Sequence, residues 1–317
     1  MKGWLFSGTG IPLKLVEKED PKATPEHVVI EVKAAGLCHS DVAALQDPGW
    51  MPLFPNGPVI MGHEFSGVVI EVGEGVTDLK VGDRVGVNPL DQVTRQAAGY
   101  NYDGGYANLA RVPAKQCVKL PDGVSFVEGA AATDAGLTSY HALFSIGGAQ
   151  PGMKVGIVGV GGLGQFAVQM AMIMGCEVYA ADVSEAAIKL AEEMGCKKVY
   201  NNVPDMKEAE CDLIVDFAGF GKTTADALEA VKARGTVVIV GMGVLQSEIN
   251  TYSMITKELK LLGSNGGTNE DLKGVYDCFA TGKLKPQLTT IAFEEIPDGL
   301  EKLRKHEVKG RLVAVFE

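Results

Sequence analysis

No C-x-x-C pair occurs in the 317 residues, and the six cysteines, at positions 38, 117, 176, 196, 211 and 278, are scattered along the chain. That spacing argues against a disulfide scaffold and suits free thiols in a reducing compartment. No apolar run reaches the roughly 18 residues needed to span a bilayer. The opening MKGWLFSGTGIPLK also lacks the apolar core of about 7–15 residues that marks a signal peptide, so a cytoplasmic location is expected. Basic residues are in deficit, with 29 Lys and Arg against 40 Asp and Glu and a formal net charge of -11. Nucleic acid and anionic membrane find no electrostatic hold on such a chain, and neither is expected as a partner. Internal repeats and low-complexity tracts are absent as well. What remains is a chain of 46% hydrophobic residues, long enough for two cores.

One stretch organises the rest. Residues 155–184, VGIVGVGGLGQFAVQMAMIMGCEVYAADVS, read as a buried strand, a glycine turn, a helix stopping at Gly175 and a second strand that ends in Asp182. Gly159, Gly161 and Gly164 stand in G-x-G-x-x-G spacing, with Gly162 and Leu163 completing the turn, and such a turn brings backbone amides at a helix N-terminus up to a pyrophosphate. Asp182 lies where a carboxylate takes both ribose hydroxyls and repels a 2′-phosphate, so NAD is expected over NADP. Ser184 beside it is a helix N-cap residue type, and Asp182 can equally serve that helix start. Further on, SEAAIKLAEEMG carries Ala187, Leu190, Ala191 and Met194 on one helical face. KVYN, DLIVDFAG, GTVVIVGMG and KELKLLGS follow as strands, and the alternation predicts a doubly wound parallel sheet. Ala218 and Gly241, in turns after two of these strands, are candidates for the ligand crevice.

Before this segment the pattern changes to short alternating runs between Pro and Gly, as in His27 to Lys33, Gly67 to Val72, Val81 to Val87 and Tyr106 to Val112. These predict a mostly β region curled into a partly open barrel. Two chemical clusters lie in it, GLCHSD at 36–41 and GHE at 62–64. A thiolate and an imidazole are zinc donors. Taken singly, Cys38 reads as readily as a buried thiol and His63 as a turn residue, and spacing alone does not bring them together.

GLCHSD, GHEFSGVVIEVG, VGDRV and IVGVGGLGQFAVQMA, in this order, resemble the zinc-dependent alcohol dehydrogenases of the medium-chain dehydrogenase/reductase superfamily, over nearly the whole chain. The resemblance implies one catalytic zinc held by Cys38, His63 and a third ligand from GAAATDAGLTSYHAL, where many relatives carry Cys and this chain carries Asp134. One thiolate, one carboxylate and a neutral imidazole cancel the charge of Zn²⁺; the competing reading of Asp134 is a helix N-cap. By the same resemblance Asp41 orients the zinc-binding imidazole, Ser40 carries the substrate proton, Glu64 lies near the metal, and His39 and Arg311 meet the cofactor phosphates. It also implies a discontinuous catalytic domain, residues 1–136 and 279–317, around a dinucleotide-binding domain, residues 137–278, and a homo-oligomer, dimer or tetramer.

Two departures stand out. Where relatives end the proton relay with a His, three positions after Ser40, this chain has Ala43. Where many relatives bind a structural zinc through four cysteines, VGVNPLDQVTRQAAGYNYDGGYANL has none, so one metal per chain is expected. The leading expectation is an NAD-linked, zinc-dependent alcohol dehydrogenase acting on a small alcohol or carbonyl compound. The aromatic and apolar residues Trp50, Met51, Leu53 and Phe54 either wall its pocket or pack a loop. Its rivals are a reductase of carbon-carbon double bonds on the same fold and a nonenzymatic dinucleotide-binding protein.

Overall fold

The computed structural model describes residues 1–316; Glu317, the last residue of the expected returning segment, lies outside the described residues. The chain divides into two compact units. The first holds eight strands ahead of the division: β1 Lys2–Phe6, β2 Lys14–Glu17, β3 His27–Gly36, β4 Val59–Ile60, β5 Phe65–Val72, β6 Arg84–Val87, β7 Leu109–Pro113 and β8 Cys117–Lys119. Strand β3 is its axis. Along one edge it pairs with β5, and it pairs through residues 27–31 with β7 and through residues 34–36 with a returning strand. Register breaks between Val29 and Ile30 and between Val32 and Ala34 add local twist, which curls the sheet. The core it encloses includes Phe6, Ile30, Phe65, Val85 and Tyr106. The run from Val81 is shorter than its alternation suggests, because Gly82 turns at φ 93° and pairing starts only at Arg84.

The second unit contains β9 Lys154–Val158, β10 Glu177–Ala181, β11 Lys198–Tyr200, β12 Leu213–Asp216, β13 Thr236–Ile239 and β14 Lys260–Gly263. All pairings are parallel, in the order β11-β10-β9-β12-β13-β14. The order reverses direction between β9 and β12, which is where an open α/β sheet presents its ligand crevice. Val155, Ile157, Leu213, Ile214 and Val215 are fully buried, as strands covered on both faces require.

The domain limits differ from those expected. The first unit runs to Asp134, includes Thr268–Tyr276, and resumes at Leu288 with β15 Leu288–Ala292 and β16 Arg311–Val315. The second comprises Ala135–Gly267 and Asp277–Gln287. A helix, Asn269–Ala280, is thus divided: Tyr276 is buried in the first unit, where its hydroxyl donates to the Gly129 carbonyl at 3.3 Å. Helical periodicity marks which face is apolar, not which core receives it. Among the described residues no helix is long and apolar enough to cross a membrane.

Candidate functional site

In the first unit β3 delivers the chain to Cys38, and the helix His39–Gln46 starts there. The Cys38 amide donates to Asp41 Oδ2 at 3.1 Å, tying the thiol-bearing residue to an acid one turn ahead. His63 arrives between β4 and β5. Gly62 before it takes φ 89°, and a Cβ there would lie 2.4 Å from the Tyr106 ring, so only glycine lets the chain pass this close. The buried Asp41 then faces both partners: Oδ2 also accepts from the Tyr106 hydroxyl at 2.7 Å, and Oδ1 lies 3.2 Å from His63 Nδ1. Among the described residues neither of these last two atoms has another hydrogen-bond partner. The Nδ1 proton therefore belongs on the Asp41 side, which leaves the Nε2 lone pair turned the other way.

That lone pair points at the third donor. Asp134 sits in a π-helical turn, Ala132–Gly136, within helical residues 126–146, so the N-cap reading of this residue is wrong: the helix has begun at Ser125, which caps it. Turns of this kind mark functional positions in helices. Asp134 Oδ2 lies 3.6 Å from His63 Nε2, and the donor atoms of Cys38, His63 and Asp134 all fall within 4.8 Å of one another. Two ligand atoms with zinc bonds of about 2.0–2.3 Å lie at most about 4.6 Å apart, and the His63–Asp134 pair falls inside that span. With a soft sulfur, an oriented imidazole and a carboxylate, the residues fit a catalytic zinc.

The electrostatics agree. Burial would lower the His63 pKa, but Tyr100, Asp41 and Asp134 hold it well above its usual value. Burial likewise opposes ionisation of Asp134, yet His63 and Arg311 hold its carboxyl well below the usual range. The carboxylates of Asp41 and Asp134 thus favour positive charge at the His63 ring. Ser40 Oγ lies 3.4 Å from His63 Nε2, one residue's reach from the donors. Glu64 is fully buried, and burial pushes its carboxyl up, to about 7, against the pull of Arg311.

Arg311, expected at the cofactor phosphates, lies among carboxylates. It opens β16, is 3% exposed, donates from Nε to Glu64 Oε1 at 3.1 Å and from Nη2 to Glu64 Oε2 and, at 2.8 Å, to Asp134 Oδ2. The guanidinium is buried between the buried carboxylate of Glu64 and the half-buried one of Asp134, which compensate its charge. His39 is exposed and its ring stacks on His306 at 6.0 Å. Partial desolvation, with Arg311 and His306 nearby, lowers its pKa. Phe54 is core, packed on Phe6 and Tyr100, whereas Met51 and Leu53 are exposed. Ala43 lies within the helix His39–Gln46 and brings no titratable group.

The second unit builds its own feature. After β9 the chain turns at Gly159, φ 85°, and the helix Gly164–Ile173 follows. A Cβ on Gly164 would fall 1.9 Å from the Gly159 carbonyl oxygen, while one on Gly161 would meet nothing within 4 Å. The turn is closed on the protein side and open on the other, the form that admits a pyrophosphate against Gly161, Gly162 and Leu163. Asp182 follows β10 and braces this turn: Oδ2 accepts from the Val160 amide at 2.7 Å and Oδ1 from the Ser184 amide at 2.9 Å. Carboxylate lone pairs remain for ribose hydroxyls. Ser184 occupies the N-cap position but its side chain makes no cap bond.

Three residues escaped the sequence reading. Tyr106 holds Asp41, and Tyr100 packs its ring 5.4 Å from that of His63; both read merely as strand or loop aromatics. Asp216, fully buried, accepts from the amides of Ala218 and Gly219 and from the hydroxyls of Thr223 and Thr224, fixing the loop that carries Ala218. A Cβ on Gly219 would lie 1.9 Å from the Gly241 carbonyl oxygen, so the two glycine-rich loops touch. An acid ending a buried strand was the available signal.

Comparison with known proteins extends these observations. Residues 24–122 match the family described as alcohol dehydrogenase GroES-like domain, and residues 162–281 match zinc-binding dehydrogenase. An alcohol dehydrogenase of Geobacillus stearothermophilus is 35% identical, with 95% of each chain covered. The crystal structure of the alcohol dehydrogenase of Aeropyrum pernix superimposes with a TM-score of 0.91 at 31% identity over 100% of both chains. The acetophenone reductase of Geotrichum candidum, solved in complex with NAD, gives 0.89 at 32% identity over 99% of this chain and 97% of that one.

Proposed function

The chain belongs to the zinc-dependent alcohol dehydrogenases of the medium-chain dehydrogenase/reductase superfamily, and on that footing we propose a reversible, NAD-linked conversion of an alcohol to its carbonyl compound at one zinc held by Cys38, His63 and Asp134. The convergence of those three donors within 4.8 Å carries the reading. A zinc ion in such a site supplies a Lewis acid that lowers the pKa of a hydroxyl or polarises a carbonyl, and NAD supplies the hydride acceptor.

The protein's own groups do the rest. Asp41, itself held by Tyr106 and the Cys38 amide, keeps the His63 proton on Nδ1 and so presents Nε2 as a donor. Ser40 Oγ, beside that nitrogen, passes the proton between the substrate oxygen and its next hydrogen-bond partner. Ala43 offers none, so the proton leaves through water or the cofactor ribose. Glu64, paired with Arg311, is a buried carboxylate neighbouring the donors. In the second unit the turn 159–164 binds the pyrophosphate, with Ala218 and Gly241 beside it, and Asp182 takes the ribose. His39, with its ring held against His306, is a further candidate for the phosphates.

A homo-oligomer, dimer or tetramer, and a cytoplasmic location belong to the same proposal. Among the described residues strand β14 pairs only with β13, an open sheet edge that a second copy can extend, and Tyr252 and Ile255 nearby in sequence are 73% and 75% exposed.

Metal analysis and a substrate panel test the function. Zinc below about half an equivalent per chain counts against it. Alcohols and aldehydes, supplied with NAD or NADP, should turn over with NAD; reduction of enones alone favours the double-bond reductase, and turnover of nothing favours a dinucleotide-binding protein.

A further inference from the structure

Four groups with charge to place share one buried spot: the Cys38 sulfur, the carboxylates of Glu64 and Asp134, and the Arg311 guanidinium. Arg311 and Glu64 side chains are 4% and 0% exposed, and Asp134 is 16% exposed. The guanidinium forms a fork, with Nε and Nη2 on Glu64, and the same Nη2 reaches past it to Asp134 Oδ2 at 2.8 Å. One cation thus bridges a carboxylate that only neighbours the metal donors and a carboxylate that is itself a donor.

Resting on the zinc reading above, we propose that Arg311 is a positioning residue for the metal site: it grips Asp134 through one carboxylate oxygen, keeps the donors assembled whether or not a cation is bound, and weakens their hold on that cation. Two effects give the sign. A guanidinium hydrogen bond draws electron density from the carboxylate and makes it a poorer donor. A fixed positive charge one carboxylate away from a divalent ion repels it, and in a buried site little water screens that repulsion. A donor thiolate in place of Asp134 would offer the guanidinium a poorer acceptor, so the coupling belongs to the carboxylate this chain carries. Arg311 is the counter-charge that prevents three acidic groups from repelling one another when the ion leaves.

The rival account lets Arg311 act through Glu64 alone, by keeping that carboxylate off the metal. A chelator-competition titration of zinc separates the two, together with the rise in Tm between stripped and zinc-loaded protein. Arg311→Gln should bind zinc at least about tenfold tighter than wild type, with a larger metal-induced rise in Tm, and the gain should persist when Glu64→Gln is compared with the Glu64→Gln/Arg311→Gln pair. Equal or weaker binding in Arg311→Gln, or a gain that vanishes in the Glu64→Gln background, overturns the proposal. If Arg311→Gln does not fold alone, the double variant carries the test, because it removes both halves of the buried pair. Zinc binding that survives Cys38→Ser unchanged overturns the zinc reading and the proposal with it, whereas loss of zinc in Cys38→Ser with no gain in Arg311→Gln overturns the role of Arg311 alone.

Discussion

Around Gly159 the second unit works with backbone: a left-handed glycine, a close approach of two peptide units at Gly164 and a carboxylate that accepts amides on each oxygen. Around His63 the first unit works with side chains whose charges and lone pairs face one another in a largely buried place. The turn closes over short distances, with 22 residues separating Val160 from Asp182, whereas 247 separate Glu64 from Arg311. The difference teaches where each is fragile. A backbone turn fails through a single added methyl group, whereas a metal-free charge cluster loses stability when one partner is removed, because the others are left buried and less compensated.

The comparison can be broken most forcefully at the donors. His63→Ala should remove stoichiometric zinc and lower kcat/KM by roughly a thousandfold or more, read by metal analysis and steady-state kinetics; retained zinc with retained activity would sink the assignment. One step outward, Asp41→Asn should weaken zinc by about 10- to 100-fold, seen in chelator competition, with the fold intact by circular dichroism. The turn gives a smaller response. Asp182→Ala should raise the KM for NAD and shrink the preference over NADP by about tenfold, leaving zinc content unchanged; an unaltered preference removes Asp182 from cofactor choice.

The smallest effect sharpens the contrast, because Asp91 is a first-unit side chain that works like the turn. It accepts the amides of Val93 and Thr94 and pairs with Lys115, organising the cysteine-free loop. Burial opposes its charge, but Lys115 and these amides lower its pKa to about 2. A folded pKa below the unfolded value of about 3.9 contributes stability above that value and loses it as pH falls toward 2. Asp91→Asn should therefore cost about 1 kcal/mol at pH 7 and only a small part of that near pH 2, where the carboxyl is half protonated, measured by urea unfolding at both; an equal cost at both values refutes the charged role.

The glycine spacing, the strand-helix alternation and the acid after the second strand are contiguous, and their physics is local: φ values, hydrophobic period and the first turn of a helix. Residues 155–184 by themselves determined the first pair of parallel strands and the turn between them, and the alternation that follows them determined the rest of the sheet. Cys38 and His63 had the right chemistry in the sequence, but nothing local distinguishes a donor from a buried thiol or a turn histidine. Only the curl of β3 against β5 and the π-helical turn at Asp134 brought the three together. Arg311 is the extreme case. Its neighbours in GRLVAVFE identify an arginine at the start of a strand, while its partners lie 247 and 177 residues earlier in the chain, so tertiary structure alone decided that its charge is spent on Glu64 and Asp134. Counter-charges pair through space, at distances that sequence separation does not encode.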